Sequence, residues 1–196
     1  MEDFLLRLWE ITVSGKRDKK KSILKSVLGS SIYFLVILLS AYLLVNYVIQ
    51  RASVIGKSME NTMYDGDQML IDKASYKFRN VKRFEMIVFP QKGKKHTYLI
   101  KRVIGLPGET VRIDEDGIIY INDRVLNESF GKEAIKNPGV AKKDVELGAG
   151  EYFVLGDNRN DSVDSRFDEI GLIREEKIVG RVVFRLKPFD RIGVVK

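Results

Sequence analysis

Residues 97–107 of the chain read Thr-Tyr-Leu-Ile-Lys-Arg-Val-Ile-Gly-Leu-Pro, which predicts a β-strand that stops at Gly105 and Pro107. β-branched and aromatic residues dominate the stretch until these turn-forming residues arrive. Because side chains alternate along a strand, the two faces differ in their residues. One face carries Thr97, Leu99, Lys101 and Val103, and the other carries Tyr98, Ile100, Arg102 and Ile104.

Lys101 is flanked on its own face by Leu99 and Val103. An ammonium group held among apolar side chains loses hydration, which favours its neutral form and lowers its pKa. A neutral lysine is able to act as a base. The alternative is an ordinary strand lysine that extends its amine into water. A nucleophile elsewhere in the chain would favour the first interpretation.

The composition excludes several kinds of chemistry. With 196 residues and 44% hydrophobic content, the chain has room for one ordinary domain with appendages. It contains no cysteine, so disulfides, thiolate metal sites and cysteine nucleophiles are excluded. Its single histidine, His96, excludes a multi-histidine metal site. We therefore expect neither a metal nor another cofactor.

The N-terminal region predicts a membrane anchor. Residues 1–14 have the pattern of a short amphipathic helix, and a basic cluster follows between Lys16 and Lys25. Residues 27–49 contain no charged side chain, and as a helix they would be about 34 Å long, enough to span the bilayer. The apolar region of a cleaved signal peptide is shorter, so we predict a permanent signal-anchor helix over 27–49.

The charges on either side of this helix predict its orientation. Residues 1–25 carry seven Lys or Arg and four Asp or Glu, whereas the rest of the chain spreads 27 basic and 23 acidic residues over a much longer stretch. The denser positive flank stays in the cytoplasm. We therefore expect a cytoplasmic segment over 1–26, an extracytoplasmic domain over 50–196, and no contact with nucleic acid.

The exported domain is predicted to be mainly β. Short apolar runs alternate with Gly, Pro, Asp and Asn, and no long helical periodicity is found after Arg51. The predicted strands are Met69–Asp72, Met86–Phe89, Thr97–Ile104, Thr110–Ile113, Ile118–Ile121, Tyr152–Leu155 and Arg181–Leu186. Hairpin turns are predicted at Asp114–Gly117 and Asn122–Asp123, and the polar stretch Glu128–Lys143 is predicted to be a loop or small insertion.

A candidate nucleophile lies in the stretch from Val54 to Met63, Val-Ile-Gly-Lys-Ser-Met-Glu-Asn-Thr-Met. A short apolar strand is predicted to end at Gly56, and Ser58 follows two residues later. A serine at this place exposes its hydroxyl, and nearby backbone N–H groups are able to face a developing oxyanion. The alternative is one of the many serines that occupy ordinary turns.

Residues 156–166, Gly-Asp-Asn-Arg-Asn-Asp-Ser-Val-Asp-Ser-Arg, place several charges and two serines in one loop after the apolar run Tyr152–Leu155. Asp-Asn runs favour turns, so a hydrogen-bonded surface turn is the plain interpretation. Asp164 and Arg166 are two residues apart and would share a face of an extended segment. An ion pair between them would hold the loop rigid.

Taken together, these stretches resemble bacterial type I signal peptidases, the membrane-anchored Ser/Lys proteases that cut signal peptides from exported proteins. The resemblance covers the anchor and four motifs in order, at residues 56–59, 66–73, 98–108 and 156–166. The single anchor and compact exported domain are similar to the Gram-positive form. The resemblance implies an all-β signal-peptidase-like catalytic domain.

The resemblance also implies roles for individual residues. Ser58 matches the nucleophile, Lys101 the general base, and Ser162 the hydroxyl that orients the lysine. The supporting positions are Asp157, on a motif position, and Asp164 with Arg166 as a structural ion pair. Two departures stand near the serine. Asn61 replaces the usual proline and is expected to loosen the turn, and Gly56 replaces a serine that aids the oxyanion hole in some relatives.

The substrate that the resemblance implies is the signal peptide of an exported preprotein, cut after small residues. Val54, Met59, Met63 and Ile100 are expected to line shallow pockets beside an extended peptide. Ordinary core packing is the alternative for these residues. The implied partners are the phospholipid membrane and the translocation machinery, and the implied location is the bacterial cell membrane in a single pass.

Three other functions remain open. A narrow-specificity relative would process pilin or another dedicated substrate. A membrane-anchored binding protein without catalysis would fit the topology, and repressor autoproteases share the Ser/Lys chemistry but need a DNA-binding domain. His96 is the rival base. It lies at an odd offset from Lys101, in a lysine-rich stretch, and is expected to take no part.

Overall fold

The computed structural model describes residues 25–43 and 47–195 of the chain. The chain divides into two compact units, residues 1–46 and residues 47–196. The predicted amphipathic helix and most of the basic cluster fall in residues 1–24, which lie outside the described residues.

The described part of the first unit is one helix, α1, Lys25–Leu43. By length and composition alone it is able to cross a membrane, because it is predominantly apolar and about 28 Å long. Two of its serines, Ser31 and Ser40, donate their hydroxyl groups to the carbonyls of Val27 and Val36 one turn earlier. The hydroxyl groups of these two serines are thus satisfied within the helix itself.

The predicted anchor over 27–49 overlaps the first strand of the second unit by one residue. The second unit begins at Tyr47, and strand β1, Ile49–Ser53, already starts at the residue predicted to end the helix. Absence of charge over residues 27–49 identified an apolar segment, but this criterion does not distinguish the last turn of a helix from the first residue of a strand.

The second unit is built from antiparallel strands in two sheets. The larger sheet has the order β1-β2-β11-β3-β4-β9-β10 with β12 beside β11, and the smaller has the order β7-β6-β5-β8. The strands after β1 are β2 Gln68–Asp72, β3 Met86–Pro90, β4 Tyr98–Gly105, β5 Thr110–Ile113, β6 Ile119–Ile121, β7 Arg124–Val125, β8 Val145–Glu146, β9 Glu151–Leu155, β10 Ile173–Arg174, β11 Gly180–Lys187 and β12 Gly193–Val194. Short 3₁₀ helices span Ser75–Lys77, Gly139–Lys142, Glu175–Lys177 and Phe189–Arg191.

The predicted mainly β architecture is confirmed. Each of the seven predicted strands is present, with its ends within one residue of the prediction. Both predicted turns form: the Gly117 N–H donates to the Asp114 carbonyl, and Asn122 and Asp123 both have positive φ between β6 and β7. The two-residue strands were missed because so short a run has no detectable alternation.

Strand β4 connects the three parts of the core. Leu99 and Val103 pack in a cluster with side chains of β3 and β9. Ile100 packs against a second cluster formed mainly by residues of β2, β3 and the chain after β1. Ile104 belongs to a third cluster, which joins β4 and β9 to the smaller sheet. The faces predicted from alternation therefore meet different parts of the core.

Gly105, the last residue of β4, offers a test of this packing. A Cβ added there would lie 2.5–3.0 Å from side-chain atoms of Val111, Leu147 and Phe153. We expect Gly105→Ala to lower the free energy of unfolding by about 1–3 kcal/mol, because overpacking displaces well-packed neighbours. Denaturant unfolding of the full chain in detergent micelles measures this change. The exposed Ser129→Ala serves as control, and equal stability of the two variants would contradict the prediction.

Candidate active site

Ser58 lies in the irregular connection between β1 and β2, within one tight turn. The N–H groups of Thr62 and Met63 both donate to the Met59 carbonyl, which closes the turn just after the serine. Asn158 holds the turn from the other side. Its N–H donates to the Ser58 carbonyl at 3.1 Å and its side-chain amide to the Lys57 carbonyl at 3.1 Å. The backbone of the candidate nucleophile is therefore fixed by the 156–166 loop.

The backbone N–H groups near Ser58 differ in whether they donate a hydrogen bond to a protein group. The Gly56 N–H donates to Asp65 Oδ1 at 2.8 Å. Among the residues that the structure describes, the Ser58 N–H donates to no protein group. Unlike the Gly56 amide, the amide of the serine itself is therefore left to face an anion at this position.

Lys101 is buried in β4, with 2% of its surface exposed. It lies opposite Ile87 of β3, and its strand neighbours Leu99 and Val103 pack in the core. Burial is the main cause that lowers the pKa of Lys101, to about 8, and the nearby charge of Asp164 opposes this effect in part. The prediction that apolar surroundings depress this pKa is confirmed.

The loop at 156–166 is held by the predicted ion pair, which forms. Arg166 Nε donates to Asp164 Oδ1 at 2.8 Å, and both side chains are almost fully buried. The other oxygen of Asp164 accepts hydrogen bonds from the Ser162 hydroxyl at 2.9 Å and from the Gly156 N–H at 3.0 Å. Asp164 thus fixes the orientation of the Ser162 hydroxyl as well as the start of the loop.

Gly156 marks the place where the serine turn and this loop meet. A Cβ on this residue would collide with the Ser162 hydroxyl and with the Ser58 carbonyl oxygen. Only glycine permits this approach. The Ser58 and Lys101 side chains make no direct hydrogen bond in the described part of the chain, nor does Lys101 bond to Ser162.

A second buried ion pair of the site involves a residue that sequence reasoning missed. Arg102 Nε and Nη2 donate to the two carboxylate oxygens of Asp157 at 2.8 and 2.7 Å, and neither side chain is exposed. Thr62, in the serine turn, donates its hydroxyl to Asp157 at 2.5 Å and accepts from Arg102 at 3.1 Å. The signal was available, because an arginine in the middle of an apolar strand requires an acidic partner.

A groove of about 550 Å³ runs from Ser58 between β1 and the first residues of β4. Of the four predicted pocket residues, Val54, Met59 and Ile100 line it. Met63 does not: it is fully buried in the core cluster beneath, and this part of the prediction is wrong. The resemblance from which these four residues were taken does not distinguish a side chain on the floor of the groove from one in the core below it.

Both walls of the groove have unpaired backbone. Among the described residues, strand β1 is an edge strand that pairs only with β2. Strand β4 pairs with β9 only from Arg102 onward, so Tyr98–Lys101 pairs on one side alone, with β3. His96 also lines the groove. It lies in the loop before β4 and has a positive φ.

Comparison with known proteins agrees with this fold and site. Residues 15–187 match the family described as Signal peptidase, peptidase S26. The chain is thus a serine endopeptidase, a hydrolase. It belongs to the signal peptidase family, peptidase S26, and within it to the bacterial type I signal peptidases.

Several relatives are similar over most of the chain. Probable signal peptidase I-2 of Synechocystis sp. is 36% identical over 154 residues, which cover 76% of this chain and 68% of the relative. Signal peptidase I V of Bacillus subtilis is 40% identical, covering 69% of this chain and 84% of the relative. Signal peptidase I P of Bacillus subtilis subsp. natto is 35% identical, covering 91% and 96%.

Burial of Lys101 should destabilise the fold in a pH-dependent way. A lysine whose pKa is 10.5 when unfolded and about 8 when folded removes about 3 kcal/mol of stability below pH 8, where both states are protonated. As the pH rises from about 8 to 10.5 the folded state releases its proton first, and the loss disappears. We therefore expect Lys101→Met to be more stable than the wild type by about 3 kcal/mol at pH 7 and by less than about 1 kcal/mol at pH 10.

Denaturant unfolding of the full chain in detergent at the two pH values tests this expectation. Lys143→Met is the matched control, because Lys143 is exposed and its replacement should change stability by no more than about 0.5 kcal/mol at either pH. A gain for Lys101→Met that is the same at pH 7 and pH 10 would contradict the assignment.

Proposed function

We propose that the protein is a membrane-anchored endopeptidase that cleaves signal peptides from exported preproteins after small residues, with Ser58 as nucleophile and Lys101 as general base. The observation that carries the proposal is the burial of Lys101, which lowers its pKa to about 8. A serine hydroxyl needs a base, and a lysine serves as one only when its neutral form is accessible near working pH.

In the first half of the proposed reaction, neutral Lys101 takes the proton of the Ser58 hydroxyl, and the serine oxygen attacks the scissile carbonyl carbon. The Ser58 N–H, which has no protein acceptor among the described residues, then faces the oxyanion. As the tetrahedral intermediate collapses, the Lys101 ammonium returns the proton to the leaving amine. The signal peptide is left as an ester on Ser58.

In the second half, Lys101 takes a proton from water, and the resulting hydroxide attacks the ester carbonyl. The ammonium then protonates the departing Ser58 oxygen and restores the enzyme. Ser162 is proposed to orient the lysine. Its hydroxyl donates to Asp164, so its lone pairs point away from that contact and are available to a Lys101 N–H.

The groove supplies a binding mode for the substrate. An extended peptide between β1 and Tyr98–Lys101 would pair with the unpaired backbone of both strands and place its scissile bond at Ser58. Val54, Met59 and Ile100 would then limit the size of side chains near the cleavage site. Shallow apolar walls of this kind favour alanine over bulky residues, which gives the proposed preference for small residues.

The apolar helix α1 supports a proposal for where the protein lies in the cell. We propose that α1 crosses the bacterial cell membrane once, with residues 1–26 in the cytoplasm and the β unit outside, because the denser basic flank precedes the helix. The substrates would then reach the site at the membrane surface as the translocation machinery delivers them.

The catalytic assignment predicts three outcomes for single substitutions. Ser58→Ala and Lys101→Ala should lower preprotein cleavage by at least about a thousandfold, because each removes half of the nucleophile–base pair. His96→Ala should cleave within about threefold of the wild type. Purified full-length variants in detergent, incubated with a panel of preproteins carrying Ala or Leu at the last signal-peptide position, provide the measurement. Cleavage by Lys101→Ala, or equal cleavage of the Ala and Leu panels, would contradict the proposal.

The pKa of Lys101 predicts the pH dependence of cleavage. The base must be neutral in the free enzyme, so kcat/KM should rise with pH below about 8 and level off above it. We expect a tenfold fall for each pH unit below the apparent pKa. Peptide cleavage between pH 6 and pH 9.5 at constant ionic strength provides the profile. A profile that is flat through this range would exclude Lys101 as the base.

A further inference from the structure

The loop predicted over Glu128–Lys143 contains a short piece, Glu128–Lys132, that is in contact with the serine turn, the Arg102–Asp157 pair and the 156–166 loop. We call it the Phe130 segment. Its Glu128 and Lys132 side chains are engaged in ion pairs with Arg159 and Glu60, and in the described part of the chain none of its members bonds to the Ser58, Lys101 or Ser162 side chains. Its contacts are instead with the residues that hold these three in place.

The first contacts are with the serine turn. Asn61 has a φ of 99°, a conformation that non-glycine residues rarely adopt and that persists only where neighbours enforce it. Its side-chain amide donates to the Phe130 carbonyl at 3.0 Å. Lys132 Nζ donates to the carboxylate of Glu60 at 2.9 Å. Two adjacent residues of the turn are thus tied to one segment.

The second contacts are with the buried pair behind the turn. The Phe130 ring lies over the Arg102 guanidinium, whose Cζ is 3.8 Å from the ring centroid. The Lys132 N–H donates to the Asp157 carbonyl at 2.8 Å. The ring also packs on Phe84, at 5.1 Å between centroids. The segment therefore covers the Arg102–Asp157 pair and keeps water from it.

The third contact is with the 156–166 loop. Arg159 Nη1 donates to Glu128 at 2.7 Å, and both side chains are largely buried. The same arginine donates from Nε to the Gly156 carbonyl at 3.1 Å. Glu128 in turn accepts the Phe130 N–H at 2.7 Å. Through these bonds the segment is fixed to the residue at which the loop and the serine turn meet.

We propose that the Phe130 segment is a positioning element that holds the Ser58 turn against the Arg102–Asp157 pair, a role that rests on the function proposed above. Without it, the turn would keep its hydrogen bonds to Asn158 and, through Thr62, to the Arg102–Asp157 pair. It would lose the bonds that Asn61 and Glu60 make to the segment. Because the turn lies outside the sheets, no ladder of strand hydrogen bonds would compensate. A displacement of about 1 Å at the nucleophile is enough to lower turnover about a hundredfold.

The test removes the two ties to the turn one at a time. Asn61→Gly loses the amide donor but still permits positive φ, and Lys132→Met loses the ion pair. Both residues are exposed, so the fold should survive each change. We expect kcat to fall about tenfold in Asn61→Gly and about a hundredfold in the double variant, with KM within about twofold of the wild type. Lys136→Met is the matched control, since Lys136 lies on the same loop and pairs only with its surface neighbour Glu133.

Hydrogen exchange of the full chain in detergent supplies a readout that does not depend on cleavage. The amides of Thr62 and Met63 should exchange faster in Asn61→Gly and in the double variant, while those of β3 and β9 keep their wild-type rates. Unchanged exchange at the turn, or unchanged kcat in an active enzyme, would overturn the inference. If the wild type itself fails to cleave preproteins, the proposed function fails, and exchange at the turn alone decides whether the segment positions it.

Discussion

The buried ion pair between Arg102 and Asp157 is the interaction on which the arrangement of the site depends. It joins strand β4, which carries Lys101, to the loop that carries Ser162, and Thr62 adds the serine turn to the same bonds. A buried pair is tolerated only when its remaining donors are also satisfied. Here Arg102 Nη1 donates to the Phe84 carbonyl at 2.8 Å. Loss of either partner would leave a buried charge at the junction of three segments, so the pair fixes their geometry more firmly than any surface contact.

Lys101 and Arg102 are adjacent in sequence and both buried, but they differ in whether they have a charged partner. Arg102 is fully buried with a carboxylate partner, whereas Lys101 is fully buried without a hydrogen bond or ion pair among the described residues. Strand alternation permits this, because neighbouring side chains point to opposite faces. The ion pair of Arg102 holds the site together, whereas the burial of Lys101 without such a partner destabilises the folded state and lowers the pKa of the lysine. Functional sites commonly contain such locally unfavourable groups, supported by their surroundings.

Sequence reasoning succeeded where the signal is local and periodic. Alternation in residues 97–107 predicted both β4 and the apolar flanks of Lys101, and Asn122–Asp123 predicted its turn. It failed where the determining contact is distant in sequence. Arg102 and Asp157 are 55 residues apart, and no pattern within either segment shows that they meet. It also extended the anchor into the first residue of β1, where an apolar run is compatible with a helix end or an edge strand, and it misplaced Met63, whose depth depends on neighbouring strands.

Asn61 shows most clearly why a local rule was insufficient. Replacing proline by asparagine was expected to loosen the turn after Ser58, because the ring no longer fixes φ. A φ of 99° is a conformation that proline is unable to adopt, so the turn is not a softer version of a proline turn but a different one. Its restraint is a hydrogen bond to a carbonyl 69 residues away. A covalent ring restrains a turn whatever surrounds it, whereas this bond exists only when the Phe130 segment is in place. If the Phe130 segment positions the turn as proposed above, the place of the proposed nucleophile depends on the folding of this loop.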